Sequence, residues 1–346
     1  MRKTMYLFFS LFIIVLLTSC SKEEENTQPN EQRKPIETEE TFESVYPLTG
    51  METNAPIDNR IVSVMVNNHT KARPQSGLAE ADIVFEILAE GPITRFLALY
   101  HSNFPDVVGP VRSAREYYFT LAQGYDALYV YHGAADFIND MIVQRGVDFL
   151  NGSIYDNDGY LFKRESFRVA PHNSYLQLGT VYDVANKKGY ETTTNYETLP
   201  FLSDEEVSNL SGDAAKHIEI VYSDNPMEIV EFEFVETTGK YLRYNDREQT
   251  VELDSGNPIQ VDNVFIVETH HEVIDAQNRR YIDLESGGNA YLIQKGVVQY
   301  LEWENQDGRI IPVKDGEVVE FAPGQTWINV IPTNPGIDQS VRIVND

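Results

Sequence analysis

The sequence predicts an α+β, mixed fold made of two folded domains. The chain has 346 residues, which is room for about two domains of ordinary size. Its first half alternates strand-like and helix-like runs, whereas its second half is a series of short strand-like runs separated by glycine turns. We therefore predict an α/β domain at 45–195, a linker at 196–214 and a β-rich, sandwich- or barrel-like domain at 215–346.

The N-terminus is typical of an export signal. Two basic residues precede an apolar run from Met5 to Leu17, whose length suits a signal peptide better than a membrane span. The run ends in Leu-Thr-Ser-Cys20, which resembles the lipobox of bacterial lipoproteins. The resemblance implies a signal peptide at 1–19 and a lipid on Cys20, and the alternative is an ordinary secretory signal with an incidental cysteine. A lipidated Cys20 would anchor the protein to the outer face of the cytoplasmic membrane.

Composition narrows the range of partners. The net charge is -27, which argues against nucleic acid or an acidic membrane surface as the main partner. Cys20 is the only cysteine, so the exported chain has no disulfide and depends on its core for stability. Residues 20–44 are acidic and nearly devoid of apolar side chains, and we predict that they form a solvated, lipid-anchored tether.

The first domain contains alternating strand and helix patterns. A Ser113–Glu116 capping box predicts the start of its first helix, and Gly189 predicts the end of its last. The predicted strands are 61–66, 81–89, 91–101 and 127–131, and the predicted helices are 114–123, 135–144 and 175–186.

The second domain reads as strands alone. The predicted strands are 218–222, 229–235, 241–244, 261–268, 289–294, 297–303, 318–321 and 326–331. Its aromatic residues Tyr291, Tyr300, Trp303 and Trp327 fit either a sugar-binding face or core packing, and core packing is favoured.

Basic and amide side chains in the first domain suggest a site for an anion, because a planar guanidinium binds carboxylate or phosphate through two hydrogen bonds. We call the five arginines the arginine set. Its members are Arg95, Arg112, Arg115, Arg164 and Arg168, and His172 and Asn173 accompany them. In the alternative interpretation, each arginine pairs with a nearby glutamate and fixes a loop.

Acid–base chemistry is the second hypothesis for this region. His132, His172, Glu86 and Glu90 are its weak candidates, since histidine titrates near neutral pH. The sequence has no Gly-x-Ser-x-Gly motif, and its only cysteine is the predicted anchor. Loop histidines that only form hydrogen bonds are the favoured explanation, so no catalytic residue is assigned.

Neither of two metal-like patterns predicts a metal site, and no cofactor is predicted. Residues 156–165 resemble a calcium loop, but Ile154 occupies its first ligand position, so a turn is favoured. His270 and His271 are adjacent, and adjacent strand residues point to opposite faces.

Seven short motifs follow one another along the exported chain. They are Val64–His69, Ala72–Leu78, Ala81–Glu86, Glu90–Phe96, Gly109–Arg115, Tyr131–Gly133 and Ala170–Asn173. In this order and spacing they resemble the YerB-like lipoprotein family of Gram-positive bacteria. Pro92 departs from the pattern at a position where a second glycine is expected. The resemblance implies a two-domain lipoprotein of unknown biochemical function, and it supplies no catalytic residue.

The sequence thus favours a non-enzymatic cell-envelope binding factor. Its arginine-rich face would take an anionic wall component, such as a stem peptide or a phosphate polymer, or a partner protein. The alternative is a wall-acting hydrolase or transferase that uses the histidine and glutamate candidates.

Overall fold

The structure is a computed structural model that describes residues 42–222 and 229–345. The described residues belong to one compact unit, Phe42–Asp346. The predicted signal peptide, Cys20 and nearly all of the tether lie outside the described residues. Within the described ranges, no helix is both long enough and apolar enough to cross a membrane.

The strands are numbered in chain order. In the first part of the chain they are β1 Ser44–Val45, β2 Glu52–Thr53, β3 Val62–Asn67, β4 Ile83–Leu88, β5 Thr94–Tyr100, β6 Val107–Val108, β7 Leu128–Tyr131, β8 Phe149–Asn151, β9 Phe162–Arg164 and β10 Ser174–Gln177.

The second part contributes strands of 2 to 10 residues. They are β11 Asp213–Ala214, β12 His217–Val221, β13 Ile229–Val235, β14 Lys240–Asn245, β15 Glu248–Gln249, β16 Gln260–Val261, β17 Asn263–Thr269, β18 His271–Val273, β19 Arg280–Ile282, β20 Gly288–Gln294, β21 Val297–Gln306, β22 Arg309–Lys314, β23 Glu317–Val318, β24 Thr326–Pro332 and β25 Val341–Val344.

The helices are short. They are α1 Glu116–Gly124, α2 Asp136–Gln144, α3 Val181–Lys188, α4 Asp204–Ser208 and α5 Ile337–Ser340.

One 12-stranded sheet contains strands from both predicted domains. Its order is β23-β22-β21-β20-β17-β24-β4-β5-β3-β7-β8, and β11 pairs with β21 beside this path. The two sequence segments meet where β24 pairs in parallel with β4, which places Asn329 opposite Glu86. The boundary predicted at 196–214 therefore separates sequence segments whose strands are joined by hydrogen bonds in one sheet.

The central strands of this sheet, β3, β4, β5, β17 and β24, are buried on both faces, which explains why they read as continuous apolar runs. Every residue of β4 and of β5 is buried. One face packs on α1 and α2, through side chains such as Tyr118 and Ile138. The other face packs on α3 and on a six-stranded sheet of order β15-β14-β13-β12-β25, with β16 paired to β14. Among the described strands the two sheets pack face to face, and neither order closes into a barrel.

Two helix predictions in the first domain were wrong in detail. Helix α1 begins two residues later than predicted, with Arg115 as its N-cap, so the Ser113 capping box does not form. The Ser113 carbonyl instead accepts a hydrogen bond from Arg95. The helix predicted at 175–186 begins only at Val181, because Ser174–Gln177 pairs as a strand with β6 and β9.

The four aromatic residues singled out in the second part divide between core and surface. Trp303 and Trp327 are almost fully buried, so core packing is confirmed for the two tryptophans, whereas Tyr300 is 50% exposed. The rings of Tyr291 and Tyr300 meet edge to face near the surface, with 4.9 Å between their centroids.

Candidate anion-binding site

The candidate site lies at the carboxyl ends of two parallel strands, β3 and β7. The segment before α1 runs between these ends: the Arg112 amide donates to the Met65 carbonyl at 2.9 Å, and the Arg112 carbonyl accepts from the His132 amide at 2.9 Å. In open α/β sheets such strand ends form crevices that bind ligands. The backbone pairing thus brings three motifs that are distant in sequence to one place.

Arg112 is the centre of this site because its charge is uncompensated. The side chain is partly buried, and its Nε is buried without a hydrogen-bond partner. Within residues 42–222 and 229–345, none of its side-chain nitrogens forms a hydrogen bond or an ion pair. Burial, and then the nearby Arg95, lower the pKa of Arg112 to about 10. A partly desolvated cation without a carboxylate is unfavourable, so the site favours an anion that would pair with it.

Two neutral histidines add donors beside Arg112. The rings of His69 and His172 lie 4.7 Å apart between centroids. The His172 Nδ1 accepts from the Asn67 amide at 2.9 Å, and the His69 Nδ1 accepts from the Lys71 backbone N–H at 3.1 Å. The proton of each neutral ring is therefore on Nε2, where it is available to donate to a ligand.

The charges around the two rings are all positive. Burial is the largest cause that lowers the pKa of His69 and of His172, and the neighbouring Lys71 and Arg112 lower both further. No carboxylate is among the groups that shift either pKa. The rings are thus neutral at neutral pH, and a bound anion would raise their pKa values.

His132 lies on the other side of Arg112 and has different partners. Its Nδ1 is 2.8 Å from the Ser174 hydroxyl, and its Nε2 is 3.4 Å from the Arg164 guanidinium. Burial, Arg164 and Arg112 lower its pKa, while Asp156 opposes them. Nothing in the local sequence indicated this serine–histidine contact. In a catalytic triad a carboxylate orients the histidine, but here the second ring nitrogen faces a cation, and Ser174 is buried.

The other four members of the arginine set are engaged. Arg95 and Arg115 both bind Glu90, with nitrogen–oxygen distances of 2.6 Å. Arg164 binds Asp156 at 2.7 Å and the Asn173 side chain at 2.8 Å.

Arg168 holds a loop. It donates to the Tyr175 hydroxyl at 2.5 Å and to the Pro74 carbonyl at 2.6 Å. The predicted set is therefore gathered around the first domain, but it is not one uniform basic face.

Glu86 occupies the core, away from solvent. It is 0% exposed and binds the fully buried Arg243 at 2.8 Å. Its oxygens also accept from Thr94 at 2.9 Å and from the Trp327 indole at 2.9 Å. Arg243, which comes from the second part of the chain, was not singled out from the sequence, because nothing in its local sequence shows that it pairs with Glu86.

The acidic side chains of the calcium-loop-like segment, residues 156–165, bind partners within that same segment. Asp156 pairs with Arg164, and the Asp158 carboxylate accepts backbone N–H groups from residues 160–162. Glu165 pairs with Lys163. Among the described residues, no group of three or more histidine, cysteine or acidic side chains is arranged to hold a metal ion.

The fold and the site define a class: a strand-rich protein in which two sequence segments share one sheet, with one arginine that is unpaired among the described residues beside two neutral histidines at its edge. The chain belongs to the DUF3048 family of proteins of unknown function. The N-terminal domain model of that family matches residues 48–191, and the C-terminal domain model matches residues 218–328.

A named relative and a solved structure support this assignment. The chain is 41% identical over 337 residues to "Putative lipoprotein YerB" of Bacillus subtilis (strain 168), which covers 96% of each protein. It also matches the crystal structure of the YerB protein from Bacillus subtilis with a TM-score of 0.80 and 40% identity, over 88% of this chain and 100% of that one. The family resemblance inferred from the motifs is thereby confirmed.

Proposed function

We propose that the protein is a lipid-anchored envelope factor that binds an oxyanion, a phosphate or a carboxylate, at Arg112, His69 and His172. One observation carries the proposal: Arg112 has no hydrogen-bond or ion-pair partner among the described residues, although the chain has an excess of acidic side chains.

The donors of this site suit an oxyanion. The Arg112 guanidinium supplies charge and several N–H groups, and each histidine supplies one Nε2–H. Among the described residues, no carboxylate is a cause of the pKa shifts of Arg112, His69 and His172. No internal anion there competes with a ligand for these donors. Because the net charge is -27, long-range attraction would not favour binding of a polyanion. Binding would therefore depend on this local site.

Anchoring is the second part of the proposal. The lipobox-like end of the signal, and the lipoprotein description of the relative, support a lipid on Cys20 and a position at the outer face of the membrane. The acidic segment that follows Cys20 would let the compact unit reach the wall. In that place the accessible oxyanions belong to phosphate polymers and to the carboxylates of wall peptides.

The test is co-sedimentation of residues 21–346 with purified wall, at low and at high ionic strength. Arg112→Gln should weaken capture about tenfold or more, since a hydrogen bond to a charged group contributes about 1.5–3 kcal/mol. Arg145→Gln is the matched control, because Arg145 is an exposed arginine paired with Glu116 elsewhere on the surface. Equal capture of the wild-type protein and the Arg112→Gln variant would refute the proposal.

The two sources of the oxyanion are separated with wall stripped of its phosphate polymers. Loss of capture on stripped wall assigns the site to phosphate, whereas retained capture assigns it to peptide carboxylates. High salt should weaken binding in both cases, since partly exposed charges are screened.

A further inference from the structure

A loop with exposed apolar side chains lies beside the Arg112 site. Of residues 167–171, which we call the apolar loop, all but Arg168 are apolar and exposed. Phe167 is 58% exposed, and Val169, at 81%, is more exposed than any other large apolar side chain of the described residues. A single exposed apolar side chain is ordinary, whereas a contiguous group rimmed by polar side chains is typical of a surface that binds a partner.

Backbone and side-chain contacts hold the apolar loop against the histidines of the site. The Val169 carbonyl accepts a hydrogen bond from the backbone N–H of His172 at 3.0 Å, and the His172 ring lies beside that of His69. From the middle of the loop, Arg168 reaches the segment that follows His69 and donates to the Pro74 carbonyl. The apolar side chains are therefore held next to the donors of the site.

The backbone of the apolar loop has free donors. The N–H groups of residues 167–170 have no hydrogen-bond partner among the described residues. A peptide that lies on the loop has backbone carbonyls that can accept from such groups, whereas an acyl chain has no acceptor to offer. The apolar loop therefore suits a peptide better than a lipid.

Charge distinguishes a wall peptide from a phosphate polymer as the source of the oxyanion. A phosphate polymer is negative along its whole length, and a protein of net charge -27 repels it wherever the two surfaces approach within a Debye length, about 8 Å. A short peptide has one terminal carboxylate, and its last side chains can be apolar. A phosphate polymer has little apolar surface to cover Phe167 and Val169. Charge and apolar surface thus favour the same ligand.

We infer that the Arg112 site and the apolar loop together bind the C-terminal carboxylate of a wall peptide whose last side chains are apolar. The inference rests on the proposed function, since it takes the Arg112 guanidinium as the partner of the carboxylate. Phe167 and Val169 would cover the side chains next to that carboxylate. Capture of a C-terminal carboxylate by convergent donors is a recurring mode of peptide recognition.

The probe is the dipeptide N-acetyl-Leu-Leu, and its binding to residues 21–346 is followed by NMR shifts. N-acetyl-Gly-Gly keeps the carboxylate and removes the apolar side chains. The C-terminal amide of N-acetyl-Leu-Leu keeps the side chains and removes the charge. Glycerol 3-phosphate represents the phosphate polymers.

The loop is tested with Val169→Ser alone and with Phe167→Ser and Val169→Ser combined. Both side chains are exposed, so the melting temperature should stay unchanged, and the single variant keeps the Phe167 ring near Tyr175. Val143→Ser is the matched control, because Val143 is 63% exposed but lies on α2.

The wild-type protein should bind N-acetyl-Leu-Leu at least fivefold more tightly than N-acetyl-Gly-Gly, as expected when part of a leucine side chain is buried. This preference should fall below about twofold in the double variant, fall partly in Val169→Ser, and persist in Val143→Ser. The amide and glycerol 3-phosphate should bind at least tenfold more weakly than the dipeptide acid. Wall stripped of its phosphate polymers should be captured less by the double variant, which identifies wall peptides as the source.

Equal binding of the two dipeptides, no saturable binding of N-acetyl-Leu-Leu at millimolar concentration, or a preference that survives the double variant would overturn the inference. If Arg112→Gln still weakens capture of wall, the proposed anion site stands without the apolar loop, whereas no effect of Arg112→Gln on wall or dipeptide removes both. A double variant that loses binding only to phosphatidylglycerol vesicles would also overturn the inference and assign the loop to the membrane surface.

Discussion

Replacing Glu86 by glutamine would disrupt a buried ion pair that joins the two parts of the chain. Glu86 and Arg243 are both 0% exposed, and Glu86 accepts two hydrogen bonds from one Arg243 nitrogen, at 2.8 and 3.0 Å. The variant would leave a buried guanidinium without its counter-ion. It would also turn an amide group toward the donors of Thr94 and Trp327.

The expected loss is about 3–5 kcal/mol, which is the usual cost of removing one partner of a buried ion pair. The free energy of unfolding of an ordinary domain is about 5–15 kcal/mol, so this loss would remove a large part of the stability of the fold. Urea unfolding followed by tryptophan fluorescence measures it, because Trp327 itself touches Glu86. Glu233→Gln, an exposed glutamate on the same six-stranded sheet as Arg243, should cost less than about 0.5 kcal/mol.

A double-mutant cycle isolates the ion pair. Arg243→Gln combined with Glu86→Gln should be less destabilising than the sum of the two single changes, by about 2 kcal/mol or more, because no unpaired charge remains buried. A loss below about 1 kcal/mol in Glu86→Gln, or strict additivity in the cycle, would contradict this account of the interface.

Three further predictions concern pH and packing. Burial raises the pKa of the Glu252 carboxyl from 4.5 to about 7. Its protonation therefore stabilises the folded state in full below pH 4.5. This contribution, about 3 kcal/mol, is lost as the pH rises through 7. Glu252→Gln should flatten the fall in melting temperature across that window, and an unchanged slope would contradict the assignment. Gly124→Ala would press a methyl group onto the Gly308 backbone, and urea unfolding should show a loss of about 1–3 kcal/mol in stability. Gly179→Ala is the control, because a methyl group added there meets nothing within 4 Å. Phosphate binding should strengthen as pH falls from 7.5 to 5.5, because protonation adds charge to His69 and His172. Calorimetry should show that the trend disappears when both are glutamine, and a trend that persists would assign it to other groups.

Much of the secondary structure could be predicted because it depends on local patterns. The runs that became β3, β4, β5, β17 and β24 are apolar and rich in branched side chains, and such runs adopt strands wherever they are buried. Gly189 ends α3 in the left-handed conformation, as its position after two lysines predicted. The start of α1 was misplaced because the Ser113 carbonyl accepts a hydrogen bond from Arg95, which lies on β5. Nothing in the local sequence indicates this contact.

The candidate site was predicted in its residue types but not in its arrangement. Arg112 and His172 both belonged to the predicted set, whereas His69 was visible only as the end of a motif. Four members of the arginine set proved to have partners, and the sequence offered no means of telling them from Arg112. Pairing depends on distances between side chains on different elements.

The sequence by itself predicted an export-type N-terminus and determined the family, the strand-rich composition and the residue types available for binding an anion. These follow from composition and local order, which act over a few residues. Only the tertiary structure decided that two sequence segments share one sheet, that Glu86 pairs with Arg243, and that Arg112 lacks a counter-ion among the described residues. Such facts depend on contacts between residues far apart in the chain, where burial sets the strength of each charge and hydrogen bond.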